Sequence, residues 1–263
     1  MQQIRDTPRK TVSRAGRRQA RYLYAVVADP LPRTIDLPGI NERPVYTVAL
    51  DGVALVASDI DADKIRPERR YLAAHRAVLG KLLEQADAVL PMRFGLIAAA
   101  PGEVTKLLSR HRDLIARQLR RVAGKIEMGL RVSWDVPNIF ECFVNTHEEL
   151  KEMRDGLFRG PGEPSQEDRI ELGRLFERLL NEERQALTQT VEETLSARCA
   201  EIKRNAVREE REVMNLACLI EKKRRAEFEN GVFEAARHFD NNFAFDYNGP
   251  WAPHAFAEIS LRG

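Results

Sequence analysis

Phe243-Ala-Phe-Asp-Tyr-Asn-Gly-Pro-Trp-Ala-Pro-His-Ala-Phe256 decides how the chain closes. Phe243, Phe245 and Tyr247 alternate with small or polar residues, which is the period of a half-buried strand. Asn248-Gly249-Pro250 stops that strand, because glycine permits positive φ and proline withholds a backbone donor. Trp251, Pro253 and Phe256 follow as an apolar cluster. A strand so late in the chain must pair with an earlier one, so the preceding hundred residues are expected to form one folding unit.

Working back from that strand, Val213–Glu221 reads as a second strand carrying Leu216, Cys218 and Ile220. Between them, Arg224–Asp240 reads as a helix with Phe228, Val232, Phe233 and Ala236 inward. Ser165 begins the longest element, where apolar residues keep a three-to-four spacing from Ile170 through Leu195, Cys199 and Ile202 to Ala206. An unbroken helix of that length spans about 60 Å, so the spacing predicts a break or helical hairpin near Asn181–Gln185, or a projecting end. Thr146 reads as the cap of a short helix running to Leu157, with Glu149 completing a capping box. Met128–Asp135 alternates as a strand, and Gly156–Pro164 is a loop.

The first half has its own pattern. Arg21–Ala28 is a strand apolar on both faces, and residues 30–43 read as loop. Pro44–Leu50 and Val53–Asp59 flank Asp51-Gly52, a strong signal for a two-residue hairpin turn. A helix follows from Pro67 to Ala86, then a strand at Ala88–Phe94, then a helix from Pro101 to Gly124. The reading is an α+β chain of two domains, residues 21–124 and 125–263, behind a basic arm at residues 1–20. In the first, both helices are expected on one face of a ferredoxin-like sheet. The second reads as another ferredoxin-like sheet with a long helical insertion.

Composition narrows the function. The 263 residues carry 42 basic and 40 acidic groups. Residues 1–21 hold seven of the basic groups against Asp6 alone, leaving 35 basic and 39 acidic in the body. Such a body is not a nucleic-acid surface by charge, and its strands lack the aromatic pattern that stacks bases. The arm reads as disordered; an organellar transit peptide is the other reading. Cys142, Cys199 and Cys218 are scattered and five histidines form no ligand cluster, so no disulfide framework, metal or cofactor is expected. No apolar run is long enough to span a membrane, and no nucleophile elbow or phosphate-binding loop occurs.

Arg93 lies among Leu90, Met92 and Phe94. Two readings are open: a contact for an anion or partner, or a polar-face arginine paired to an internal acid. Trp251, Pro253, His254 and Phe256 likewise form either a lid on the last sheet or an exposed anchor for a partner.

Three pieces carry a family resemblance. Gly249-Pro-Trp-Ala-Pro-His-Ala-Phe256 resembles the Gly-Pro-Trp-Pro-Pro-Tyr-Ser-Phe ending of the gas vesicle GvpF/GvpL proteins, departing at Ala252 and His254. Val89-Leu-Pro-Met-Arg-Phe-Gly95 is similar to the family's Leu-Pro-Val-Arg-Phe-Gly, and Tyr22-Leu-Tyr-Ala-Val-Val27 agrees near the start. The pieces keep the family's order over residues 21–259. The resemblance implies a ferredoxin-like N-terminal domain and a helix-rich C-terminal domain. It also implies a non-catalytic, cytoplasmic, gas vesicle associated role in shell assembly, with the major shell protein GvpA and other gas vesicle accessory proteins as partners. Arg93, Phe94, Trp251, Pro253, His254 and Phe256 are then the candidate partner-binding or structural residues. The competing classes are an RNA-binding or adaptor module and an enzyme of unrecognised type.

Overall fold

The computed structural model describes residues 20–28, 30–159 and 163–258. The arm read at residues 1–20 lies outside them, except that Ala20 opens the first strand. The first half runs β1 (Ala20–Ala28), β2 (Thr34–Pro38), β3 (Pro44–Leu50), β4 (Val53–Ile60), α1 (Arg69–Gln85), β5 (Val89–Pro91), β6 (Ile97–Ala98) and α2 (Pro101–Val122). Its sheet has the order β2-β3-β4-β1-β5, with β6 also pairing β1. Asp51 and Gly52 form the turn between β3 and β4, both at positive φ, and Leu50 faces Val53 across it. The stretch read as loop at residues 30–43 contains β2 and a 3-10 turn, because Ile35 and Ile40 are buried.

The two helices do not share a face, contrary to expectation. Val78, Leu79 and Leu82 of α1 pack with Tyr22, Tyr24, Val27 and Val56. Val104, Leu108, Ile115 and Leu119 of α2 pack instead with Leu23, Val26, Leu55 and Ala57. Neighbouring strand residues point to opposite faces, so the sheet is sandwiched between α1 and α2. A bulge between Leu23 and Ala25 lets Leu23 and Val26, three residues apart, face the same way. The strand reading of β1 as buried on both sides has this cause.

The second half runs β7 (Lys125–Trp134), α3 (Ile139–Thr146), α4 (Glu148–Phe158), α5 (Gln166–Leu195), β8 (Glu201–Arg204), β9 (Glu212–Glu221), α6 (Arg225–Ala236) and β10 (Phe243–Trp251). Its sheet is antiparallel throughout, in the order β10-β7-β9-β8. The closing strand does pair with an earlier one: Phe243 faces Trp134 and Tyr247 faces Leu130. Ile126, Met128, Leu130, Val132 and Trp134 line one face with Leu216, Cys218 and Ile220, under α3, α5 and α6. On the opposite face, Ala217 and Leu219 are covered by Phe256.

Three local readings are corrected. Thr146 ends a helix rather than starting one: its hydroxyl donates to the Cys142 carbonyl at 3.0 Å, while Asn138 caps α3 by accepting from the Glu141 N–H at 3.2 Å. Next, α5 is unbroken across Asn181–Gln185 and ends at Leu195, after which the chain turns through a 3-10 segment into β8. The apolar lapse at Asn181–Gln185 is where Arg184 docks, donating to the carbonyls of Glu210 (2.6 Å) and Glu212 (3.0 Å). Finally, α6 buries Phe228, Gly231, Val232 and Ala235, leaving Phe233 60% exposed beside Tyr247.

Candidate functional site

Tyr22 and Tyr24 point from β1 toward α1, where His75 meets them. The His75 ring stacks on Tyr24 and stands edge-on to Tyr22 and Phe94, with centroids 5.7–5.8 Å apart. The Tyr22 hydroxyl accepts the Gly95 N–H at 3.1 Å and lies 2.9 Å from His75 Nδ1. Nε2 is buried without a hydrogen-bond partner. Burial, then the neighbouring His254, push the His75 pKa down to about 4; the Met92 backbone opposes them without reaching hydrogen-bonding geometry at Nε2. His75 is therefore neutral at neutral pH. Tyr24 is held by Ser58 Oγ at 2.9 Å and by the Ile40 N–H at 2.8 Å.

The chain's last described residues lie against this cluster. Gly249 has φ of 124°, and a Cβ there would stand 2.8 Å from Met128 Sδ and 3.0 Å from the Glu127 carbonyl. Only glycine fits both the conformation and the approach. Trp251 donates from Nε1 to Asn248 Oδ1 at 2.8 Å, stays 40% exposed, and carries the Arg76 guanidinium 5.5 Å above its ring. Ala252 then enters the core under α1. The Ala255 N–H donates to Glu127 Oε2 at 2.7 Å, and Lys203 Nζ donates to the Ala255 carbonyl at 3.2 Å. Partial burial and the Arg76 charge also hold the His254 pKa below its usual value.

Between α1 and this tail lies a cavity of about 370 Å³. Leu72, Leu79, Leu83, Phe94 and Trp251 give it apolar walls, and His75, Arg76, Glu127 and His254 contribute polar groups. Of the residues singled out in the sequence, Phe94, Trp251 and His254 meet here. Pro253 and Phe256 are buried, and Phe256, fully enclosed over Ala217 and Leu219, is tail packing rather than surface. Arg93 does not join them. β5 ends at Pro91, so Arg93 is exposed on the following turn, and it makes no ion pair among the described residues. The reading that paired it with an internal acid is thereby corrected. His75, Arg76 and Leu72 were not picked out as a site, since a contact between β1 and α1 across 53 residues leaves no local pattern.

Among the described residues, no cluster of three or more His, Cys, Asp or Glu could hold a metal ion, and no helix is long and apolar enough to cross a membrane.

Comparison with known proteins gives consistent matches. The family described as "Gas vesicle synthesis protein GvpL/GvpF" matches residues 20–258. Gas vesicle protein F of Nostoc sp. is 28% identical over 242 residues, covering 91% of this chain and 98% of the relative. The crystal structure of GvpF from Anabaena sp. superposes with a TM-score of 0.81 at 28% identity, covering 92% of this chain and 99% of the other. GvpF from Microcystis aeruginosa gives 0.79 at 26%, covering 91% and 99%.

Proposed function

The chain belongs to the GvpL/GvpF gas vesicle synthesis family, and from its accessory role there we propose that it binds the shell subunit GvpA and keeps it dispersed before assembly. The observation that carries the reading is the cavity between α1 and the tail. Two of the three family motifs contribute to its walls opposite α1, and the exposed Trp251 stands at its rim. A subunit built to keep water out of a gas space is strongly apolar and aggregates when alone. An apolar cleft edged by an exposed aromatic removes part of that surface from water, while the charged surface around it keeps the complex dispersed. The role is one of binding and involves no catalysis.

We also read the chain as two units, residues 21–124 and 125–263. The second is ferredoxin-like, a reading supported by strands that follow the chain as fourth, first, third and second across the sheet. The first is a more distant variant, with helices on both faces of its sheet.

Co-expression with GvpA, followed by sedimentation and pull-down, tests the function. GvpA is expected to stay in the supernatant and to co-purify at a fixed ratio. Leu72→Asp combined with Trp251→Ala is expected to cut recovered GvpA about tenfold while leaving the circular dichroism melt in place, since both residues are exposed. Equal recovery with this variant removes the cavity from the interface. GvpA pelleting with no trace of the intact chain ends the direct-binding reading.

A further inference from the structure

The outer face of α2 carries Lys106, Arg110, Asp113, Arg117 and Arg120. Their spacing of four, three, four and three residues, across a kink at His111, keeps all five on the exposed side, away from the buried Val104, Leu108 and Ile115. All five are exposed, and none of the four cations makes an ion pair among the described residues. On other helices Arg178 pairs with Glu182, Arg225 with Glu229 and Lys81 with Glu84. Arg121, next to the stripe, is taken by Glu201 and Glu258. Lys106 with Arg110, and Arg117 with Arg120, are like charges one turn apart, which destabilise a helix left to itself. The stripe also sits on a body in which acids outnumber bases.

We propose that this stripe is a docking surface for an acidic helix of a partner protein. The four cations and Asp113 take successive turns over about 21 Å, with a kink at His111, so a helix lying along them sets carboxylates against the cation pairs on either side of Asp113. Asp113, in the middle, separates this partner from a uniform polyanion. RNA or an anionic bilayer must bring negative charge against Asp113. A peptide helix can set a lysine at that one position. The surface lies on the other side of the first sheet from the cavity, so it is independent of the GvpA reading.

The test uses the full chain and two synthetic helical peptides. Both carry glutamates spaced to meet the four cations; one has lysine opposite Asp113 and the other has glutamate there. Fluorescence anisotropy is expected to show the lysine peptide binding at low salt, weakening at least tenfold at 300 mM salt. Lys106→Gln with Arg117→Gln should weaken it at least tenfold at low salt, with an unchanged melt because both residues are exposed. Asp113→Lys should reverse the preference between the two peptides, while Trp251→Ala should change neither. The proposal is overturned if neither peptide binds, if Asp113→Lys leaves the preference as it was, or if a single-stranded RNA or phosphatidylserine vesicles bind more tightly than the lysine peptide.

Discussion

His75 shows how much one side chain records of its surroundings. It is 4% exposed, enclosed by Tyr22, Tyr24 and Phe94, and its pKa lies near 4. An unfolded histidine titrates near 6.5. Between those values the unfolded chain takes up a proton that the folded chain refuses, so the unfolded state gains as pH falls. The stability that neutral His75 contributes is thus present above pH 6.5 and lost progressively down to about pH 4. The full shift corresponds to roughly 3 kcal/mol. Urea midpoints of the intact chain should fall between pH 7 and pH 5. His75→Gln should be less stable at pH 7 yet flatter across that range, because glutamine has no proton to take up. Equal slopes for the two chains would mean that His75 does not titrate as its burial requires.

At the scale of elements, α5 is the clearest case of a sequence rule obeyed at one end and overridden at the other. Ser165 accepts from the Asp168 N–H at 3.2 Å, and Asp168 accepts from the Ser165 N–H at 3.1 Å, a reciprocal cap that fixes the start. Ser165→Ala should cost about 1 kcal/mol, read as a lower urea midpoint with unchanged slope, with faster amide exchange confined to the first turn of the helix. The start and the hairpin at Asp51-Gly52 were legible because their signals are local. The far end was not. Leu195, Cys199 and Ile202 keep helical spacing, but Ile202 pairs with Cys218 across β8 and β9. The need to pair β9 on its second side outweighs periodicity there. α3 was missed although Asn138 and Glu141 carry a cap-like spacing of their own, because the stronger-looking Thr146–Glu149 pair drew the boundary eight residues late. For the site, the two motifs that supply Phe94, Trp251 and His254 stood in the sequence, whereas their meeting with His75 and Arg76 depends on how α1 lies against the tail.

Across the whole molecule, contacts among the described residues tie the two sheets together, three of them through Lys222, Arg121 and the tail. Lys222 Nζ donates to the carbonyls of Leu83 (3.0 Å) and Ala86 (2.9 Å), closing the end of α1 from the second half. Arg121 of α2 bonds both Glu201 oxygens, at 2.7 and 2.8 Å, and reaches Glu258 as well. The tail is the third tie, with Ala252 in the core of the first half and Phe256 on the outer face of the second sheet. A chain tied in this way should unfold as one unit. Ending it after Asn248 removes Phe256 and exposes Ala217 and Leu219, a loss of roughly 3 kcal/mol from apolar burial. It also removes the Trp251 side of the cavity. Trp134 then remains as the only tryptophan and reports the second core, while far-ultraviolet dichroism reports both halves. In the full chain the two signals should follow a single urea transition; in the shortened chain Trp134 fluorescence should change at lower urea than the dichroism. If the two still coincide after truncation, Lys222 and Arg121 suffice to couple the halves. The tail then adds stability and shapes the cavity without being needed to couple the halves.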